Sequence, residues 1–315
     1  MPEGSSAPDA ARTMWLKTGR GRTEGRISLC MDCKRQFAST TGTILSGSPK
    51  RLSVWKKYVE SLMNGDSLRK SAGICKIDLT TAFYWRHKIL DALENMAGSV
   101  TLSGISEADE KYFRISYKGN RSRSRQKIPR KSRKRGKGAK RGLSDEQACV
   151  ICAVNREGLS VSVVSNSGKP SSVDIDRALG GGRIARDSIL CTDKMNSYKR
   201  FAEKNSLELH QSKATEGRSG IYNIQKVNSY HSRLDRFMTP YNGVSTKYLS
   251  HYLILNNIVN YAMETFLEKQ NIFIDFVFTT RKAEKSRDVR KRPPSSLGGV
   301  TCHKFVQTEP KSNPK

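Results

Sequence analysis

A mixed α/β architecture is expected from this 315-residue chain, in which a helical module precedes a mixed sheet flanked by helices. Two patterns carry that expectation. From Leu52 to about Leu93, apolar residues recur at three- and four-residue intervals. From about Ser103 to Gln211, short apolar-polar alternations interleave with amphipathic stretches, giving the order β-β-β-α-β-α-β with further helices after it. The 36% apolar content supports a core, and the length allows two or three domains.

Residues 1–27 are polar and glycine-rich without sustained periodicity, and are expected to be loosely ordered. The segment "CMDCKRQFASTTGTI" then places Cys30 and Cys33 in a CxxC knuckle. A closed tetrahedral zinc site needs four thiolates or imidazoles, and this knuckle supplies two; a loop with two free thiols is the alternative. In "RLSVWKKYVESLMNG", Leu52, Trp55, Val59, Leu62 and Met63 share one helical face, and Gly65 stops the helix. The run "DSLRKSAGICKIDLTTAFYWRHKILDAL" predicts a short helix capped by Asp66 or Ser67, a turn near Gly73, and a longer helix capped at Asp78. Three helices with a tight turn before the third fit a helix-turn-helix. That arrangement turns Thr80, Thr81, Tyr84 and Arg86 towards a major groove and packs Phe83, His87 and Leu90 inward. A plain three-helix bundle is the alternative.

"SGISEADEKYFRIS", "QACVICAVN" and "LSVSVVSNSG" predict three strands, the last two joined by a turn at Glu157 and Gly158. Helix "SVDIDRALGG", strand "SILCTD", helix "MNSYKRFAEKN" and strand "LELHQ" follow. Cys149 and Cys152 form a second CxxC, but on a strand they point to opposite faces and are expected as core thiols. Gly180, Gly181 and Gly182 lack a Walker lysine and are expected to form a loop.

Subtracting 29 acidic from 57 basic side chains gives +28, so a polyanion is the expected partner, and nucleic acid the foremost one. A basic ribosome-associated or membrane-surface protein is the alternative. The charge is concentrated at 114–142, which holds fourteen Lys or Arg and no carboxylate, with Arg130, Lys131, Arg133, Lys134 and Arg135 at its centre. Such a segment builds no core and is expected to order on phosphates. The opening "MPEGSSAPDA" has no apolar run, and "YLSHYLILNNIVNYAMETF" is interrupted by Asn256, Asn257 and Asn260. Together with seven cysteines, this predicts a cytoplasmic, nucleoid-associated protein rather than a secreted or membrane-spanning one.

Acidic residues at strand ends are the candidates for chemistry. Asp109 lies in the first strand of the sheet and Asp193 directly follows the fourth. Were those strands neighbours, the two carboxylates would face one cleft and suit hard Mg²⁺ or Mn²⁺ ions, two of which, about 4 Å apart, serve phosphodiester chemistry. Asp109 and Glu110 are adjacent on a strand, so only one is expected to serve. In "NIQKVNSYHSRLDRF" the helical spacing puts Val227, Tyr230, Leu234, Phe237 and Met238 on one side. Asn228, His231, Ser232 and Asp235 fall in a polar seam of short, ligand-sized groups. There His231 either ligates metal or makes an ordinary helix hydrogen bond.

The order CxxC, helix-turn-helix, "ADEKYF", "LCTDKMNSY", "KVNSYHSRL" and "GVSTKYLSHYL" resembles the bacterial insertion-sequence transposases typed by insertion sequence fifteen-ninety-five, over about residues 28 to 262. That resemblance implies a zinc ribbon and helix-turn-helix ahead of a ribonuclease-H-like, integrase-type DDE/N catalytic domain. Asp109 matches the first acidic position, Asp193 the second, with Tyr198 completing its motif. The third is Glu in many members and Asn in one branch, and Asn228 occupies it, with 34 residues between it and Asp193. Asp109, Asp193 and Asn228 are thereby implied to hold two Mg²⁺ or Mn²⁺ ions, with His231 in support. Asp235 stands where the family commonly has a Lys contacting transposon-end DNA, flanked here by Arg233 and Arg236. The implied organisation is 1–27 loosely ordered, 28–48 a partial zinc ribbon, 50–98 helix-turn-helix, 103–265 catalytic domain with the basic insertion 114–142, and 281–315 a basic disordered tail. A transposase acting as at least a dimer on its terminal repeats is expected. A decayed or domesticated transposase that only binds DNA is the alternative.

Overall fold

The computed structural model describes residues 15–20, 26–31, 34, 36–97, 100–119, 146–212, 220–261, 265–282 and 285–292. It divides into two compact units, residues 1–92 with 270–289 and residues 93–269 with 290–315.

In the first unit, β1 (Trp15–Arg20), β2 (Arg26–Cys30) and β3 (Gln36–Ala38) form an antiparallel sheet in that order. Residues 15–20 and 26–27 are thus in strands where loose order was expected, and residues 1–14 and 21–25 lie outside the described residues. The strands are too short to show an alternation, and their order comes from ladder pairing such as Leu16 with Leu29 and Ser28 with Phe37, which a local pattern does not reveal. Cys30 closes β2, whereas Cys33 lies outside the described residues.

Helices α1 (Leu52–Met63), α2 (Leu68–Cys75) and α3 (Leu79–Ala97) follow. Ser67 caps α2 by accepting the Lys70 N–H, and Lys76 ends it in the left-handed region, which sets the tight turn into α3. Trp55 stacks on Trp85 at 3.6 Å, and the Tyr58 hydroxyl donates to the Ala82 carbonyl. Arg86 is a correction to the groove-facing set: it is fully buried, and its Nη2 donates to the Asp66 carbonyl at 2.7 Å. At about 100° per residue it lies about 120° round α3 from Thr80, off the face that carries Thr80. Thr80 is exposed, and Thr81 and Tyr84 are half-buried.

Further along the chain, α8 (Phe266–Thr279) buries Phe273, Ile274 and Val277, and α9 (Ser286–Lys291) buries Val289. Helix α9 corrects the reading of 281–315 as wholly disordered; one apolar side chain among charges was too little for periodicity to register.

The second unit is built on β4 (Ile105–Arg114), β5 (Gln147–Asn155), β6 (Ser160–Ser167), β7 (Ile189–Thr192) and β8 (Glu208–Gln211). Their spatial order is β6-β5-β4-β7-β8, antiparallel from β4 through β5 to β6 and parallel from β4 through β7 to β8. The first and fourth strands of this unit are therefore neighbours, in a ribonuclease-H-like mixed sheet. Helices α4 (Ser172–Leu179) and α5 (Ser197–Lys204) cover one face, where Ile175, Leu179, Tyr198 and Phe201 join Ala108, Cys149, Ile151 and Leu190 in one core. Helices α6 (Gln225–Met238) and α7 (Leu249–Tyr261) cover the other, where Val227, Tyr230, Leu234, Leu249 and Leu253 join Val150, Cys152 and Val154. Both faces of β5 are buried, which explains its near-continuous apolar run, and Cys149 and Cys152 sit in opposite cores. A capping box opens α4, with Ser171 Oγ accepting from Asp174 N and the Asp174 carboxylate accepting from Ser171 N, contributing about 1 kcal/mol. Among the described residues, no helix is long and apolar enough to cross a membrane.

Candidate metal centre

Strand β7 pairs with β4 only from Ile105–Ile189 to Ala108–Thr192. Continuing that parallel register sets Asp193 beside Asp109, just where β7 leaves the sheet. There the edge of β4 opens into a notch, and the carboxylates of Asp109, Glu110 and Asp193 lie within 4.8 Å of one another.

Glu110 thus lies in the same cluster as Asp109, its neighbour on the strand. Asp109 does face α6 and Glu110 does face α5, as alternation requires. Past Ala108, however, no β7 residue covers this edge of β4, and both side chains lean into the same gap from opposite faces. The buried Tyr198 hydroxyl fixes Glu110 by donating to its Oε1 at 2.6 Å. Asp193 Oδ1 accepts the Met195 N–H at 3.2 Å, and Gln211 Nε2 holds the Asp193 carbonyl at 2.9 Å.

Such crowding shows in the electrostatics. Burial first, and then the charge of Asp193, raises the Asp109 carboxyl to about 6. Burial again leads for Glu110, with Asp109 and Asp193 adding to it against the Tyr198 hydrogen bond, and its carboxyl is pushed up to about 7. Ionising both therefore costs the metal-free fold stability as pH rises from about 4 through about 7, and a divalent cation returns it. Because the cation competes with those protons, its affinity should fall by about tenfold or more between pH 8 and pH 5.5. Calorimetric titration with Mn²⁺ checks this, and a pH-independent affinity would contradict it.

Helix α6 runs beside β4 as a ladder. The Val227 N–H donates to Glu107 at 3.1 Å, His231 Nδ1 lies 3.7 Å from Asp109, and Asp235 pairs with Lys111 at 2.5 Å. Two residues of strand advance about 6.6 Å and four of helix about 6 Å, so the two elements stay in step over these rungs. Burial lowers the His231 imidazole to about 4, leaving it neutral near pH 7, and 3.7 Å from Asp109 is longer than a hydrogen bond. Asn228 lies one helical turn before His231 and is exposed. Arg233 and Arg236 are exposed on the same helix, while Arg130, Lys131, Arg133, Lys134 and Arg135 lie outside the described residues. Sequence reasoning discounted Glu110 and missed Glu107 and Lys111; the signal for Lys111 was its two-residue spacing from Asp109, matched to a four-residue spacing on α6.

Residues 101–255 match the family model of the ISXO2-like transposase domain. An uncharacterised protein in transposable element ISH50 of Halobacterium salinarum is 25% identical over 228 residues, covering 71% of this chain and 75% of its own length. Among solved structures, the Mos1 transposase paired-end complex with left transposon end has 11% identity and a TM-score of 0.29, over 76% of this chain and 80% of that one. The simian T-cell lymphotropic virus intasome in complex with PP2A regulatory subunit B56 gamma has 8% identity and a TM-score of 0.32 over 69% of this chain. Of that structure's chain, 62% is spanned, less than two thirds of its length. Both structural likenesses are remote. The matched residues hold Asp109, Asp193 and Asn228 together with their surrounding motifs, and the family match and the transposable-element relative support a transposase of the ISXO2-like kind over residues 101–255.

Proposed function

We propose that the chain binds the terminal inverted repeats of its insertion sequence and catalyses metal-dependent strand cleavage and strand transfer. The observation that carries this reading is the convergence of Asp109, Glu110 and Asp193 from adjacent parallel strands. Hard carboxylate oxygens fit Mg²⁺ or Mn²⁺, and Asp109 and Asp193 would hold the cations, with Glu110 as a third carboxylate and Asn228 as a neutral oxygen ligand. A bound divalent cation supplies activation of a hydroxyl nucleophile and stabilisation of the leaving oxygen in an in-line displacement at phosphorus. Tyr198 keeps Glu110 turned towards the aspartates. Neutral His231 packs against Asp109 without adding positive charge that would compete with a cation.

DNA is held by the exposed Thr80 side of α3 with Thr81 and Tyr84, by the basic arm around Arg130 to Arg135, and by Arg233 and Arg236. A dimer or larger assembly bridges two ends, and the working place is the nucleoid. Zinc at Cys30 and Cys33 would require two further ligands. The DNA-binding-only alternative is motivated by the incomplete zinc ribbon and by Asp235, whose anion would repel phosphate. Its pairing with Lys111 speaks against that repulsion.

Purified protein and labelled end DNA provide the test. Mg²⁺-dependent release of 3′ ends, followed by their joining to target DNA, is expected. Salt-dependent end binding with no cleavage in either Mg²⁺ or Mn²⁺ would contradict the catalytic reading.

A further inference from the structure

Glu107 is fully buried on β4, two residues before Asp109, and is not one of the three clustered carboxylates. Its Oε2 accepts the backbone N–H groups of Lys226 at 2.6 Å and Val227 at 3.1 Å. These are among the first donors of α6, whose N-cap residue, Ile224, provides no side-chain acceptor. Asn223 Oδ1 accepts the Gln225 N–H at 3.1 Å, and a strand residue takes the next two donors, its charge suiting the positive end of the helix dipole. Arg156, just after β5, places Nη2 3.0 Å from Glu107 Oε1. Arg156 is tied in turn: its Nη2 donates to the Ile221 carbonyl at 2.5 Å, and its own carbonyl accepts from Lys226 Nζ at 2.5 Å. Strand, helix start and preceding loop are therefore joined through one buried carboxylate.

An ion pair with one partner buried and the other part-exposed contributes little net stability, so its worth here lies in position. We infer that Glu107 and Arg156 are positioning residues, a clamp that fixes the first turn of α6 on β4 and so sets the approach of Asn228 and His231 to Asp109. The inference rests on the cation site proposed above. Asn228 directly follows the clamped Val227 N–H, so a slip of this turn moves the proposed third position before any other part of the helix.

Fe²⁺ with ascorbate and peroxide, applied to the full chain, cuts backbone near a bound ion and reads the arrangement without requiring activity. Wild-type protein should be cut near Asp109, near Asp193 and in the first turn of α6. In Glu107→Gln the α6 cut should fall severalfold relative to the other two, and the Mn²⁺ needed for half-maximal end cleavage should rise about tenfold or more. Arg156→Lys, which keeps charge but not the forked donor, should shift both readouts in the same direction by less, and it carries the test if Glu107→Gln does not fold. Undiminished α6 cutting in the folded variant, with both aspartate cuts present, would overturn the clamp alone. Absence of wild-type cuts near Asp109 and Asp193 would overturn the cation site and the clamp with it.

Discussion

Asp193→Ala is expected to lower Mg²⁺-dependent cleavage of end DNA by about three orders of magnitude or more, with end affinity nearly unchanged. The asymmetry follows from where Asp193 stands. It follows the last residue of β7, in parallel register with Asp109, and its carboxylate belongs to the notch rather than to the core. Its hydrogen bond to the Met195 N–H is local, so the alanine variant should fold. In the proposed reading DNA is gripped elsewhere, by α3, the basic arm and the arginines of α6, so binding should survive. A gel-shift titration beside a cleavage time course separates the two quantities. Wild-type cleavage in the variant would remove Asp193 from the site.

Glu110→Gln is expected to be the second most damaging change, about a hundredfold loss of cleavage at pH 7, and more harmful than Asn228→Ala. The glutamine keeps the shape and still accepts the Tyr198 hydrogen bond, so the substitution removes charge and little else. With a neutral Asn228 at the proposed third position, the proposed site has two aspartates unless β4 supplies another anion, and Glu110 is our candidate for it. Its carboxyl, pushed up to about 7, is half ionised near neutrality, so wild-type activity should rise with pH across this range. Glu110→Gln should flatten that rise. Cleavage in Glu110→Gln matching wild type, with Asn228→Ala severely impaired, would return the third position to α6 alone.

How much of this was legible in the sequence varies with how local the determining interactions are. Strand β5 was readable residue for residue from "QACVICAVN", because burial on both faces demands an apolar run. Asp109 and Asp193 were readable because a central strand followed by an acid is a local pattern, and because the motifs resemble a family. Glu110 was discounted on a rule that holds within a strand but not at the point where the neighbouring strand ends. Where β7 ends depends on pairing that no window of sequence contains. Arg86 was misplaced for the opposite reason: its angle round α3 turns it away from Thr80, but a long cation near exposed threonines invites an outward reading. Lys111 and Asp235 lie 124 residues apart, and only the parallel run of β4 and α6 makes them partners.

Replacing Asp193 by cysteine tests the central claim most directly, since a thiolate favours softer cations over Mg²⁺. If Asp193 touches the cation that drives chemistry, Asp193→Cys should be inactive on end DNA in Mg²⁺ and regain cleavage in Mn²⁺. Full cleavage by Asp193→Cys in Mg²⁺ would contradict the account.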